Sequence, residues 1–405
     1  MPTPPGVLCG VCGDKNGQSH YGTICCPSCK GFFRRVFIAA KNMECTRGNC
    51  CEITVEKRNI CRACRYRKCL SIGMNVREIR GRNKMTAEDR MQMQRFESPV
   101  SPTIPTMSTI LVPIDQIDAE RALEMGQIYL NLEKFCESTV YEQKMPIDEE
   151  NALIDRMMNS ALSDFLLKTS PQCPRFKRTW KPYKPGDWNR FVRSWARSMV
   201  HFLDFATKVP LFNSLCMHDR KCWYSTRMPA CAILTMAYHT RLERCEGLLF
   251  GDGDVFPLKP HLWHRVDDDS FRTLFIPVTR SLFNGVVVPM IRMKFTDVHY
   301  ALLKSVIFYS QGTAVTTMTP PGTDAINREF ERHKKALTQL LFKDAHNFTE
   351  RAKILFQLDD MISAIERATV LFFKEMRYFD LCEVDLTKRP LWNECFVERG
   401  FILPP

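Results

Sequence analysis

At 405 residues, 45% of them hydrophobic, the chain is long enough for two or three domains with at least one sizeable core. Its net charge is +12, and the stretch from Cys9 to Lys84 supplies +11 of it, with 16 Lys and Arg against 5 Asp and Glu; the attraction for a polyanion is therefore local. The opening MPTPPGVLCGVC has no basic or apolar signal region, and apolar runs such as Val286–Met290 fall short of the ~20 residues of a membrane span, so secretion and membrane contact are not expected.

Residues 1–8 read as a tail. Eight of the 19 cysteines then fall into two groups, Cys9-x2-Cys12-x13-Cys26-x2-Cys29 and Cys45-x5-Cys51-x9-Cys61-x2-Cys64. A Cys-x2-Cys step delivers two thiolates from one turn, and four thiolates close a tetrahedral zinc site with no position left for water. Both sites therefore read as structural, not catalytic, and need a reducing compartment. Eight thiolates on two Zn2+ ions lower the local charge by four, leaving about +7 on a compact unit. Cys25 and Cys50 adjoin proposed ligands and offer a shifted register; Cys69 reads as a packing residue.

The residues after Cys29 predict a helix with Phe32, Phe33, Val36 and Phe37 on one face and Lys30, Arg34 and Arg35 on the other. A second helix, Cys61 to Leu70, offers Ala63, Tyr66 and Leu70 to that apolar face. The basic face suits a DNA major groove, with Lys30 and Arg34 toward bases and Arg35 toward phosphates. A zinc-based protein-interaction or ubiquitin-transfer module is the alternative, but it does not need such a face. In the extension from 75 to 95, Arg77, Arg80, Arg82 and Lys84 suit phosphate or minor-groove contacts, a nuclear-import patch, or a solvated linker. Residues 96–116, rich in Pro, Ser and Thr, read as a hinge.

Helical periodicity runs from residue 117 to the end. Trp188 to Val209 carries Trp188, Phe191, Val192, Trp195, Met199, Phe202, Leu203 and Ala206 in one stripe, which leaves Arg190, Arg193, Arg197, His201 and Asp204 mostly outside it. Pro229 to Cys245 predicts a buried helix, 252–269 a loop or small hairpin, and Phe348 to Phe379 a long helix. Leu391-Trp392-Asn393-Glu394-Cys395-Phe396 predicts a short amphipathic helix. No nucleotide fingerprint, His-Glu-x2-His or Gly-x-Ser-x-Gly occurs, and pairs such as His201 with Asp204 or His261 with His264 lack a converging nucleophile or metal set. An enzyme is not expected.

Cys26-Pro-Ser-Cys-Lys-Gly-Phe-Phe-Arg-Arg and Cys61-Arg-Ala-Cys-Arg-Tyr-Arg-Lys-Cys-Leu-Ser-Ile-Gly-Met74 resemble the DNA-binding domain of nuclear hormone receptors, in every cysteine interval. The resemblance favours Cys26 and Cys51 in the ligand register and implies that Pro27, Ser28, Lys30, Gly31, Arg34 and Arg35 read the major groove. The family's usual Glu-Gly is Pro27-Ser28 here; proline cannot accept a hydrogen bond from cytosine N4, so the half-site preference stays open, with Ser28 as a weaker contact or a solvent-facing residue. Residues 46–50 occupy the family's dimer-contact loop.

Trp195 through Asp219 resembles helices three and four of the family's ligand-binding domain, with Asp219-Arg220 in place of the usual Asp-Gln, as in a divergent nematode-type member. By that resemblance Trp195, Met199 and Phe202 line the domain interior. Lys208 and Glu394 cap the two ends of a bound coactivator helix, and the helix from Phe348 is a homo- or heterodimer contact or else an internal core helix. The fold implied is a small zinc-stabilised two-helix DNA-binding domain, residues 9–74, plus a large all-α layered ligand-binding domain, residues 117–405. The function implied is a nuclear transcription factor acting on RNA polymerase II transcription through double-stranded DNA and coactivators or corepressors. Two structural Zn2+ ions are required. A small apolar ligand gates the domain in one version, and side chains fill the interior of a ligand-independent regulator in the other.

Overall fold

The computed structural model describes residues 7–38, 45, 51, 53–72, 74, 113–140, 146–167, 175–185, 188–312, 318–376 and 389–397. Two compact units emerge, one from Met1–Ile104 with Pro210–His218 and one from Pro105–Val209 with Asp219–Pro405. Arg77, Arg80, Arg82, Lys84, Cys50, the 46–50 loop, most of the hinge and residues 377–379 lie outside the described residues, as do the side chains of Phe37 and Leu70.

In the first unit, β1 (Gln18–His20) and β2 (Thr23–Cys25) pair antiparallel, with His20 opposite Thr23. The two-residue turn between them, Tyr21 and Gly22, has φ of 54° and 82°, the left-handed pair that matches strand twist in a tight hairpin. The hairpin was not legible as a strand pattern, because each strand has three residues. It leads directly into α1 (Pro27–Ile38), whose first residue loses no intrahelical N–H by being proline. α2 (Arg62–Ser71) packs on α1. Phe32, Phe33 and Val36 are buried, and Phe33 stacks on Tyr66 with centroids 5.7 Å apart.

The second unit is built from α3 (Ala119–Ser138), α4 (Ile147–Met158), α5 (Leu162–Leu167), β3 (Thr179–Pro185) and α6 (Trp188–Lys208). A short α7 (Pro210–Ser214) intervenes in the chain before α8 (Met217–Leu242), β4 (Gly247–Leu249) and β5 (Asp252–Pro257). α9 (Asp269–Arg292), α10 (Asp297–Tyr309), α11 (Pro320–Leu341) and α12 (Phe348–Met376) follow. The last element, α13, begins at Pro390–Trp392 and continues as a π turn over Asn393–Val397.

α8 and α10 form the centre. Cys222 through Tyr238 and Tyr300 through Tyr309 are buried on every side, as expected of helices surrounded by other helices. α8 runs through Pro229, where the sequence suggested a start, because a proline between two fully packed flanks costs one hydrogen bond and not the helix. α10 packs against α3 and α11. Gly126 lets α3 and α10 approach so closely that a Cβ there would lie 2.3 Å from Val298 Cγ1.

The domain also carries a three-stranded sheet in the order β3-β5-β4, with β4 and β5 forming a hairpin and β3 parallel to β5. β3 was missed because Thr179–Pro185 has no alternation of apolar and polar residues. α9 corrects another expectation. Counted as contiguous apolar runs it looks short, but it is the one helix among the described residues long and apolar enough to cross a membrane. Its Phe271, Leu274, Phe275, Val278, Leu282, Val286, Val287 and Met290 are buried, and it packs on α12.

The stripe reading of α6 left Arg197, His201 and Asp204 mostly outside the core; all three are buried. α3 and residues 175–178 cover that side of the helix, and each polar group keeps partners. Arg175 donates to both oxygens of Asp204 at 3.0 and 2.7 Å. Arg197 donates to the carbonyls of Phe176, Cys136 and Thr139 at 3.0–3.4 Å. His201 lies at the middle of a larger network. Arg178 donates to its Nδ1 at 3.0 Å, so the ring is the Nε2–H tautomer facing Glu133 Oε1 at 3.2 Å. Lys304 donates to both oxygens of Glu133 at 2.6 and 2.7 Å, Tyr300 to one at 3.1 Å, and Arg178 also grips Glu137.

Burial, then the charge of Arg178, pushes His201 down to about 4. Burial likewise brings His239 and His333 to about 3. Each is neutral when folded and takes up a proton more readily when unfolded, so the stability it contributes is complete above pH 6.5 and is lost as pH falls toward 4 and 3. Glu137 acts in the same sense lower down: burial opposes its ionisation, but Arg178 holds it at about 2. All six tryptophans lie in this unit. The urea midpoint followed by tryptophan fluorescence is therefore expected to fall between pH 7 and 5.5, by an equivalent of about 3 kcal/mol. An unchanged midpoint would contradict the buried neutral histidines.

Candidate metal centres, nucleic-acid face and terminal-helix groove

The Sγ atoms of Cys9, Cys12, Cys26 and Cys29 lie within 4.8 Å of one another, as do those of Cys45, Cys51, Cys61 and Cys64. A tetrahedral zinc ion with Zn–S of about 2.3 Å requires S···S edges of about 3.8 Å. Cys12 to Cys26, Cys12 to Cys29 and Cys45 to Cys51 are each 3.7 Å apart. The donor set and its spacing thus fit a closed four-thiolate metal site in both places. The hairpin presents the second Cys-x2-Cys pair at the start of α1, and Cys61 and Cys64 open α2 in the same way. Backbone amides of Cys29 and Cys64 point at Cys26 Sγ and Cys61 Sγ, both at 3.4 Å.

Two arginines complete the first site. Arg65 donates to Cys29 Sγ at 3.3 Å and, through its other nitrogen, to Asn59 Oδ1 at 3.0 Å, while its guanidinium carbon sits 4.4 Å from the Phe32 ring centroid. Arg58 reaches Cys12 Sγ at 3.6 Å and is fixed by Asp14 at 3.0 Å. Such donors offset the net negative charge of a four-thiolate site and orient its sulfurs. The sequence reading counted Arg58 and Arg65 only as basic charge; their placement beside Cys61 and Cys64 was the available signal. Cys25 and Cys69 are buried but lie outside both four-sulfur groups.

Of the reading-face residues, Ser28, Arg34 and Arg35 are exposed and Lys30 and Gly31 half-buried. Lys30, Arg34 and Arg35 form no ion pair with another described residue. Ser28 Oγ is engaged by Arg65 at 3.2 Å, which turns it toward the metal site. Gly31 leaves room for Arg35 to fold over the helix: an added Cβ would lie 3.2 Å from Arg35 Nη1.

In the helical unit, α13 buries Leu391, Trp392, Cys395 and Phe396. Phe396 stacks on Phe373 at 5.0 Å, and Trp195 lies 6.4 Å from both Trp392 and Phe396. Trp195, Met199 and Phe202 are themselves buried, with Trp195 against Phe372 at 4.8 Å and Phe202 against Phe308 at 5.6 Å. Glu394 is bound within the domain: Lys221 pairs with its Oε2 at 3.2 Å, and the Leu162 backbone N–H donates to its Oε1 at 3.2 Å. Lys208 lies over the Phe135 ring at 5.4 Å, apart from Glu394. Lys221 and Leu162 were not singled out in the sequence: Leu162 belongs only to a six-residue helix, and both meet Glu394 across long separations, 173 and 232 positions, that no local window spans.

Comparison with known proteins agrees with both units. Residues 7–76 match the family described as "Double treble clef zinc finger, C4 type", and residues 176–367 match "Ligand-binding domain of nuclear hormone receptor". Nuclear hormone receptor family member nhr-100 of Caenorhabditis elegans is 25% identical over 367 residues, covering 88% of this chain and 81% of the relative. Probable nuclear hormone receptor HR38 of Bombyx mori is 27% identical over 258 residues, 63% of this chain and 59% of the relative. Steroidogenic factor 1 of Sus scrofa is 40% identical over 102 residues, 23% and 22% of the two chains. With a four-cysteine zinc module followed by a receptor-type helical domain, and relatives aligned across both, this chain, which is similar to divergent invertebrate receptors, belongs to the nuclear hormone receptor family.

Proposed function

We propose that the protein is a nuclear, sequence-selective DNA-binding transcription factor acting on RNA polymerase II transcription, whose helical domain recruits coactivators or corepressors. As a member of its family it is not an enzyme. Cys9, Cys12, Cys26 and Cys29 would hold one Zn2+ and Cys45, Cys51, Cys61 and Cys64 the other, each ion cross-linking segments too small to fold alone. The observation that carries the reading is the face of Lys30, Arg34 and Arg35, without ion pairs among the described residues, on a helix whose other side is pinned by the first thiolate cluster and Phe33. Lys30 and Arg34 then meet base edges, Gly31 admits a close backbone, Arg35 meets phosphate, and Arg77, Arg80, Arg82 and Lys84 extend the basic track.

Lys30→Ala is expected to cost about 1–3 kcal/mol in discrimination between selected and scrambled duplexes, with a smaller loss on the scrambled one. Arg35→Ala should weaken both alike and lower the slope of log K against log salt by about 0.9. Titration of the full-length variants across a salt series distinguishes these; equal discrimination after Lys30→Ala would remove α1 from base reading.

In the helical domain the contacts of α13 with Trp195 of α6 and Lys221 of α8 support a coregulator groove formed by these three helices, with Glu394 and Lys208 as the charges that would meet the two ends of a bound helix. An apolar ligand would act by favouring this docked arrangement, to the extent that it binds it more tightly than an undocked one. The ring contacts of Trp195, Phe372, Phe373 and Phe396 favour a second version, in which the protein's own side chains support α13 and the regulator needs no ligand. Exposed Phe348 and Phe356, 85% and 76% accessible, support α12 as a homo- or heterodimer face.

A further inference from the structure

α5 has six residues, yet Leu162, Phe165 and Leu166 are 0%, 1% and 3% exposed. The Phe165 ring stands edge-on to Tyr224 of α8 at 5.6 Å, and Tyr224 meets Phe202 of α6 at 5.3 Å. Glu394 of α13 accepts from the Leu162 amide at 3.2 Å while Lys221 of α8 steadies the same carboxylate. α13 contacts both α5 and α4, and Arg389 donates to Asp155 of α4. Apolar anchors at i, i+3 and i+4 are the signature of a helix laid in a groove. Here the amide of the first anchor is capped by the glutamate to which the family resemblance gives that task on a partner helix. α5 thus meets α8 at Tyr224 and α13 at Glu394, with Phe202 of α6 standing behind Tyr224.

We propose that α5 is an internal occupant of the coregulator groove, so that a partner helix must displace Leu162, Phe165 and Leu166 and take over Glu394. The proposal rests on the groove reading given above. The partner it fits is an amphipathic helix with apolar residues at i, i+3 and i+4 and free N-terminal amides. A tethered competitor acts at an effective concentration of millimolar order, so a free helix sees its affinity reduced by the fraction of molecules with the groove open. The domain would then be self-restrained, and any event that lifts the segment away would raise partner binding without altering the groove.

The test uses a fluorescein-labelled peptide with the sequence of residues 159–168, NSALSDFLLK, added to zinc-loaded full-length protein and followed by anisotropy. Leu162→Ala with Phe165→Ala should bind the peptide at least ~10-fold more tightly than the unsubstituted chain, because the internal competitor is weakened. Adding Glu394→Gln to that variant should reverse the gain. Equal affinity for both chains would leave the groove reading standing and overturn self-occupancy; no binding to either would overturn both. Since the double substitution removes core side chains, hydrogen exchange is also measured on the unsubstituted protein at saturating peptide. Amides 163–167 should exchange at least ~10-fold faster while those of α10 stay protected. Bound peptide with unchanged exchange at 163–167 overturns the proposal.

Discussion

Replacing Cys29 by alanine is expected to unfold the N-terminal unit and abolish specific DNA binding, leaving the helical unit folded. Cys29 joins α1 to the first metal site, receives Arg65 and lies fully buried among Cys9, Cys12, Phe33 and Cys69. Few other apolar residues support this unit, and structural zinc contributes free energy of order 10 kcal/mol to such modules. That exceeds what the core of α1 and α2 supplies without it. Bound zinc should fall from two ions per chain to one or none, read by mass spectrometry under native conditions. Tryptophan fluorescence, which reports the other unit, should keep its urea midpoint. Cys25→Ala is the control: its thiol is buried beside the site but outside the ligand set, so only a packing loss is expected. Two retained zinc ions and intact DNA binding after Cys29→Ala would reject the ligand assignment.

Lys304→Met should produce the largest loss in the helical unit. The lysine is 2% exposed and donates to both oxygens of Glu133 within the network joining α3, α6 and α10. Burial alone would raise the Glu133 carboxyl, but Lys304 and His201 hold it well below the usual carboxylate range. Without Lys304 a buried carboxylate loses its main counter-charge, at a cost of about 3–5 kcal/mol. For a domain of this size that corresponds to a fall of roughly 10 °C in Tm. Pairing the change with Glu133→Leu should recover much of the loss, since an apolar pair is no less stable than a buried ion pair. A double variant no more stable than Lys304→Met would show that the network owes its stability to something other than this pair.

The zinc module was legible because its chemistry is fixed by spacing: the four-cysteine sets recur as written, and the Phe32–Phe33–Val36 face folds inward as periodicity requires. What spacing does not encode is what supports the sulfurs. Arg58 and Arg65 reach them from the loop and helix that follow, a relation visible only once the hairpin and α2 close around Cys12 and Cys29. In the helical unit the apolar stripe of α6 was correct, but a stripe reading assumes that polar residues face water. Arg197, His201 and Asp204 contradict it, because α3 and residues 175–178 bring matching charges to the same side. β3 and α5 escaped for another reason. Each is short and stabilised by distant partners, Asp252–Val255 and Glu394 respectively, which no local window contains.

The most direct measurement is the affinity of the full-length protein for duplexes recovered by randomised-DNA selection, taken with zinc present and after chelation, across a salt series. Two filled thiolate sites aiming a basic helix predict preference for the selected duplex over a scrambled one, a steep salt dependence, and loss of that preference when zinc is withdrawn. Equal binding of selected and scrambled duplexes by the zinc-loaded protein, insensitive to ionic strength, would contradict it.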